Sequence, residues 1–147
     1  MGIGLGCRAT RMIEVAHRHA PARAVRYVGI DLFEARSHSD PPGLSLKSAH
    51  QILRATGARI QLLPGDPLAA LSRTANSLRG IELVVIASGW DPQLLTRAWF
   101  YFPRMLAPQS QFYVEESIPS GEGVRLRRVA PTEIIRLAEA TLLRRAA

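Results

Sequence analysis

The chain has 147 residues, 47% hydrophobic and 21% charged, a balance that excludes a disordered chain and is long enough for one domain with a buried core. No run reaches the roughly 18 apolar residues of a membrane span, no apolar leader opens the sequence, and a single cysteine, Cys7, excludes an internal disulfide, so a cytoplasmic protein is expected. Nineteen Lys and Arg against twelve Asp and Glu give a net charge of +7, which attracts anionic partners. The excess is scattered, with Arg8, Arg11, Arg18, Arg23 and Arg26 near the front and Arg125, Arg127, Arg128, Arg144 and Arg145 near the back. No aromatic residues interleave a basic run, so a solvated surface is the better reading and nucleic-acid binding the weaker one.

Along the chain, residues 8–19 have helical spacing, with Met12, Val15, Ala16 and His19 on one face and Arg11, Glu14 and Arg18 outside. "VRYVGID" (25–31) is a short strand ending in an acid. After the Ser/Pro-rich loop "SHSDPPG", residues 45–56 form a helix with Leu46, Ala49, Ile52 and Leu53 inward and Gly57 as its stop. "RIQLLPG" (59–65) is the next strand. A helix follows over "GDPLAALSRTANS", with Asp66 as N-cap and Pro67 in its first turn. "IELVVIAS" (81–88) is the longest apolar run and reads as a strand buried on both faces. "WDPQLLTRAWFYF" repeats the Asp-Pro start at Asp91 and Pro92; Leu95, Ala98, Trp99 and Phe102 face inward, and Pro103 breaks or bends the helix. "QFYVEE" (111–116) is a fourth strand, "PSGEG" a turn, "VRLRRV" (124–129) an alternating edge strand and 132–145 a last helix. Strands alternating with helices predict one α/β domain over 1–147, its mostly parallel sheet covered by helices on both faces.

Ligands of such sheets bind at the carboxyl ends of the strands. Gly2, Gly4 and Gly6 form G-x-G-x-G before the first helix, where glycines permit positive φ and close approach to the backbone. The N–H groups and dipole of that helix face the same place. Asp31 ends the following strand, where a carboxylate can accept two ribose hydroxyls, and Asp66 follows the next strand.

In these stretches the chain resembles the class I S-adenosylmethionine-dependent methyltransferases, which have a Rossmann-like, three-layer fold. "GIGLG" matches the glycine loop, "YVGID" the ribose-binding acid, "IQLLPGDP" the adenine-side acid, and "IELVVIASGWDP" and "RMLAPQSQFYVEE" the later strands, so the resemblance runs through most of residues 1–116. It implies that Gly2, Gly4 and Gly6 line the amino-acid part of S-adenosylmethionine, Asp31 its ribose, and Asp66 or its neighbours the adenine. A nicotinamide dehydrogenase would show G-x-G-x-x-G, but Cys7 stands where its third glycine belongs.

The sequence departs from the family in three places. The strand and acid that precede the loop are missing, the "ASGW" that ends 81–90 has neither a metal-binding aspartate nor a base-methylation motif, and the part after 116 is shortened. A metal site and base methylation are therefore not expected. Methyl transfer needs positioning more than a triad, so Glu115, Glu116 and Trp90 stand as candidates for acceptor contact, with an edge-strand carboxylate pair and a packing tryptophan as an equal alternative. Capping alone accounts equally for Asp66 and more fully for Asp91. His17 and His19 lie two apart on a helix and do not share a face, His38 and His50 are isolated, and Cys7 reads as a small packing residue. The leading expectation is a metal-independent methyltransferase-like enzyme acting on a small molecule. The alternatives are a non-catalytic binding or interaction module of the same fold and a basic RNA-binding protein. An incomplete sheet also leaves an edge on which a second copy can pair.

Overall fold

A computed structural model of the chain describes residues 1–118 and 123–146, and in it the strands pair into two small sheets, one parallel and one mixed. The protein is mixed α/β, with five α-helices among the described residues. It divides into two compact units, one of Gly2–Asp66 and one of Met1 together with the chain from Pro67 onward.

The Gly2–Asp66 unit holds α1 (Cys7–His19), β1 (Arg26–Asp31), α2 (Leu46–Arg54) and β2 (Arg59–Pro64). β1 and β2 pair in parallel from Arg26↔Arg59 to Asp31↔Pro64, and α2 makes the crossover that a parallel pair requires. Ser45 caps α2 by accepting the Ser48 N–H at 3.0 Å, and Gly57, at φ 79°, turns the chain away after it. Ile3, Ala9, Ile13, Phe33, Ala49, Leu53 and Ala58 form the core, with Tyr27 and Leu44 packed against it. The inward face of α1 is therefore Ala9 and Ile13; Val15 and His19, expected inward, are exposed. Ile52 on α2 is likewise exposed. The bare Gly29 lets Ile3 cross β1, for a Cβ there would stand 2.5 Å from the Ile3 Cδ1.

The other unit holds α3 (Pro67–Thr74), β3 (Ile81–Ile86), α4 (Pro92–Ala98), β4 (Leu106–Ser117), β5 (Val124–Arg128) and α5 (Pro131–Ala146). β3 and β4 are parallel, β4 and β5 antiparallel, in the order β3-β4-β5, so β5 is an edge as expected. Between Ile81↔Leu106 and Leu83↔Gln111 the register shifts; Pro108 lies in that stretch and has no N–H to give the ladder. Asp91 caps α4 by accepting the Gln93 N–H at 2.8 Å. Trp99, Phe102 and Phe112 make a three-ring cluster with centroids 4.9–5.4 Å apart. β3 is not buried on both faces: Glu82 and Leu83 are exposed. The expected turn over 119–123 falls, Gly123 apart, outside the described residues. Among the described residues no helix is long and apolar enough to cross a membrane.

Candidate functional site

All three glycines of the opening loop are in the left-handed region, Gly2 at φ 84°, Gly4 at 57° and Gly6 at 84°. This requirement, which side chains meet only at a cost, explains the alternation of glycine in "GIGLG". The turns aim successive N–H groups into one concavity, a natural anion cradle. Its occupant is Asp31. One carboxylate oxygen, Oδ2, accepts the N–H groups of Ile3 at 2.6 Å and Gly4 at 2.9 Å. The other, Oδ1, accepts the Phe33 N–H at 3.4 Å and the Arg36 guanidinium at 2.5 Å. Asp31 is 2% exposed, and these four donors match the roughly four lone-pair sites of a carboxylate. The glycine loop and the acid at the end of β1, seen separately in the sequence, are thus one hydrogen-bonded unit.

The backbone completes the junction. The Gly2 N–H donates to the Ile30 carbonyl at 2.8 Å, beside β1, and the Gly65 N–H donates to the Asp31 carbonyl at 2.9 Å. Gly6 stands at the N-cap of α1 without a side-chain acceptor, and no acidic residue lies in the helix's first turn. A Cβ at Gly4 would meet nothing within 4 Å, so space is open over that residue. Asp66, the predicted adenine-side acid, is half-buried directly before Pro67. Cys7, expected to pack, is exposed.

Tyr27 of β1 responds to the same acid. Burial, with the charge of Asp31 adding to it and Arg8 opposing, pushes its phenol up from 10.0 to about 12. The neutral phenol is thus favoured in the folded chain. Stability from this source is complete below pH 10 and is lost as pH rises through about 12, because the unfolded chain releases its proton first. Phenolate absorbance should show a titration step at about pH 12, and Tyr27→Phe should remove that step. A Tyr27→Phe protein that retained it would refute the assignment.

In the other unit, the acceptor-contact candidates Glu115 and Glu116 lie on β4, which is the middle strand of its sheet and not an edge. Adjacent strand residues point to opposite faces, and Glu115 and Glu116 of β4 follow that rule. Glu115 is buried at 7% exposure, and its Oε2 accepts the N–H of Ser88 at 2.9 Å and the Ser88 hydroxyl at 3.2 Å, tying down the loop after β3. Glu116 is gripped by Arg127 at 2.6 Å and Arg125 at 3.0 Å on β5, and Arg127 also reaches Glu133 at 3.0 Å. Those hydrogen bonds, Arg127's first, hold the Glu116 carboxyl below the usual range and weaken it as a proton acceptor. Trp90 is half-buried in the same loop as Ser88. In this unit the Met1 amino nitrogen donates to the Val85 carbonyl, and the Met1 carbonyl accepts from the Ala87 N–H at 2.9 Å, alongside β3.

Three residues that the geometry makes prominent have little or no signal in the sequence. Arg36 sits in a loop with no periodicity, and nothing local links it to Asp31; Gly43 carries only the turn signal of "PPG". Ser88 reads in sequence as part of a strand end and not as the partner of Glu115. Among the described residues no group of three His, Cys, Asp or Glu side chains is placed to hold a metal ion. The chain matches no protein-family model, no curated protein and no solved structure.

Proposed function

We propose that this chain is a Rossmann-like, S-adenosylmethionine-dependent methyltransferase-like protein that acts on a small molecule without a metal. The observation that carries the reading is the joining of the three left-handed glycines to Asp31 through the Ile3 and Gly4 N–H groups. A loop of that shape beside an acid at a strand end suits a nucleoside whose ribose hydroxyls need an acceptor. The two parallel strand pairs with helical crossovers support the same fold. Gly2, Gly4, Gly6 and Asp31 would hold the cofactor, with Asp66 on the adenine side, and the uncapped start of α1 suits its carboxylate.

The donor set fits that group with one displacement. Oδ1 of Asp31 is the oxygen that ribose hydroxyls can reach, since Oδ2 is needed to keep the loop in shape; the Phe33 N–H at 3.4 Å is a weak competitor and Arg36 a strong one. When bound, S-adenosylmethionine supplies an activated methyl group. The protein's part is then to orient that group and exclude water.

Calorimetric titration with S-adenosylmethionine or its demethylated product is expected to give saturable heat that Asp31→Asn abolishes. No heat from folded wild-type protein and none from folded Arg36→Ala, in which Oδ1 is uncovered, would overturn the reading. The second reading, a non-catalytic binding or interaction module, is favoured by one observation: every acceptor site of Asp31 is already taken by the chain itself.

A further inference from the structure

We infer that residues 36–44 form a strap that closes the glycine loop, latched by Arg36 on Asp31 and released when that ion pair opens. The inference rests on the cofactor reading only for what the loop receives; the latch itself stands on the contacts. At its far end the Leu44 N–H donates to the Gly4 carbonyl at 3.0 Å. The Leu44 side chain crowds Gly6, where an added Cβ would lie 3.1 Å from the Leu44 Cδ1. At its near end Arg36 holds Asp31 Oδ1 with one guanidinium nitrogen and reaches the Leu44 carbonyl with another, at 3.5 Å. One side chain therefore joins the two ends of the strap to each other and to Asp31, the acid that holds the loop.

The strap is organised independently of the latch. Asp40 accepts the N–H and hydroxyl of Ser37 at 2.7 and 2.9 Å, closing a local turn. Glu34 accepts the Leu46 N–H at 2.8 Å, anchoring the start of α2. Opening the latch thus moves a preformed segment instead of unfolding one. Asp31 also tolerates the opening, because Ile3 and Gly4 still hold Oδ2 and arriving hydroxyls replace the guanidinium on Oδ1. A chain whose binding-competent state is only partly populated binds more weakly by that fraction.

Gly43 provides the means of testing this. A Cβ there would collide with the Arg36 guanidinium, which is the far end of a flexible side chain, and the Gly43 backbone is not in the left-handed region. Gly43→Ala should therefore keep the native fold, less stable for the loss of the ion pair, and evict Arg36 from its seat while Asp31, Arg36 and the glycine loop keep their own residues. Hydrogen exchange at the Leu44 amide is expected to rise in Gly43→Ala and in Arg36→Ala, and affinity for S-adenosylmethionine to tighten about tenfold. Unchanged exchange at Leu44 in both variants overturns the strap, as does faster exchange with unchanged or weaker affinity. Faster exchange without binding by wild type or either variant supports the latch and overturns the cofactor reading, so the two failures are distinct.

Discussion

Replacing Asp31 with alanine is expected to lower stability by about 3–5 kcal/mol, the range for breaking a buried ion pair from one side. The carboxylate is 2% exposed and the Arg36 side chain 16%, so the guanidinium would be left largely buried without its acid. The Ile3 and Gly4 N–H groups would lose their acceptor as well, and each buried orphan costs about 1–3 kcal/mol. Partial solvent access to Arg36 keeps the sum within the stated range instead of above it. Asp31→Asn, equal in shape but uncharged, should lose roughly half as much, since its amide oxygen can serve only one side of the donor set. Urea unfolding followed by circular dichroism measures both. An alanine variant within about 1 kcal/mol of wild type would show that the glycine loop does not depend on this acid.

Phe112→Ala should be as damaging in the other unit, by about 3–5 kcal/mol. Phe112 is 1% exposed and lies against Phe102 edge-on, centroids 4.9 Å apart, and against Trp99 at 5.2 Å. Its backbone is fixed on both sides, opposite Val84 in the β3–β4 pair and by its carbonyl's bond from the Val129 N–H at 2.8 Å, so the neighbours cannot close over the space it leaves. Both tryptophans, Trp90 and Trp99, belong to this unit, so their fluorescence reports the change directly. A Trp fluorescence midpoint equal to wild type in urea would mean that the ring cluster is not a cornerstone of the unit.

The glycine loop and Asp31 could be found without coordinates because their signals are local. Positive φ selects glycine residue by residue, and an acid at a strand end shows where an apolar run stops. That the two bind each other could not be read. The 27- and 28-residue separations between Gly4, Ile3 and Asp31 are bridged by loop N–H groups reaching one carboxylate, a contact that carries no mark in either segment. The same holds for Glu115 and Ser88, 27 residues apart. For Glu115 and Glu116, adjacency in sequence says nothing of a shared partner, since neighbours on a strand face apart.

By itself the sequence determined the order and kind of the elements, the alternating left-handed glycines, the Asp91 cap and the edge position of 124–128, because these follow from periodicity, turn chemistry and capping within a few residues. Only the tertiary structure decided which faces are buried, with Val15, Ile52 and Leu83 outward against their periodicity, and where each charge finds its partner. Periodicity marks an apolar face but not whether another element arrives to cover it. A carboxylate's destination is set by whichever donors the fold brings within about 3 Å, and for Asp31 these are its own loop and Arg36.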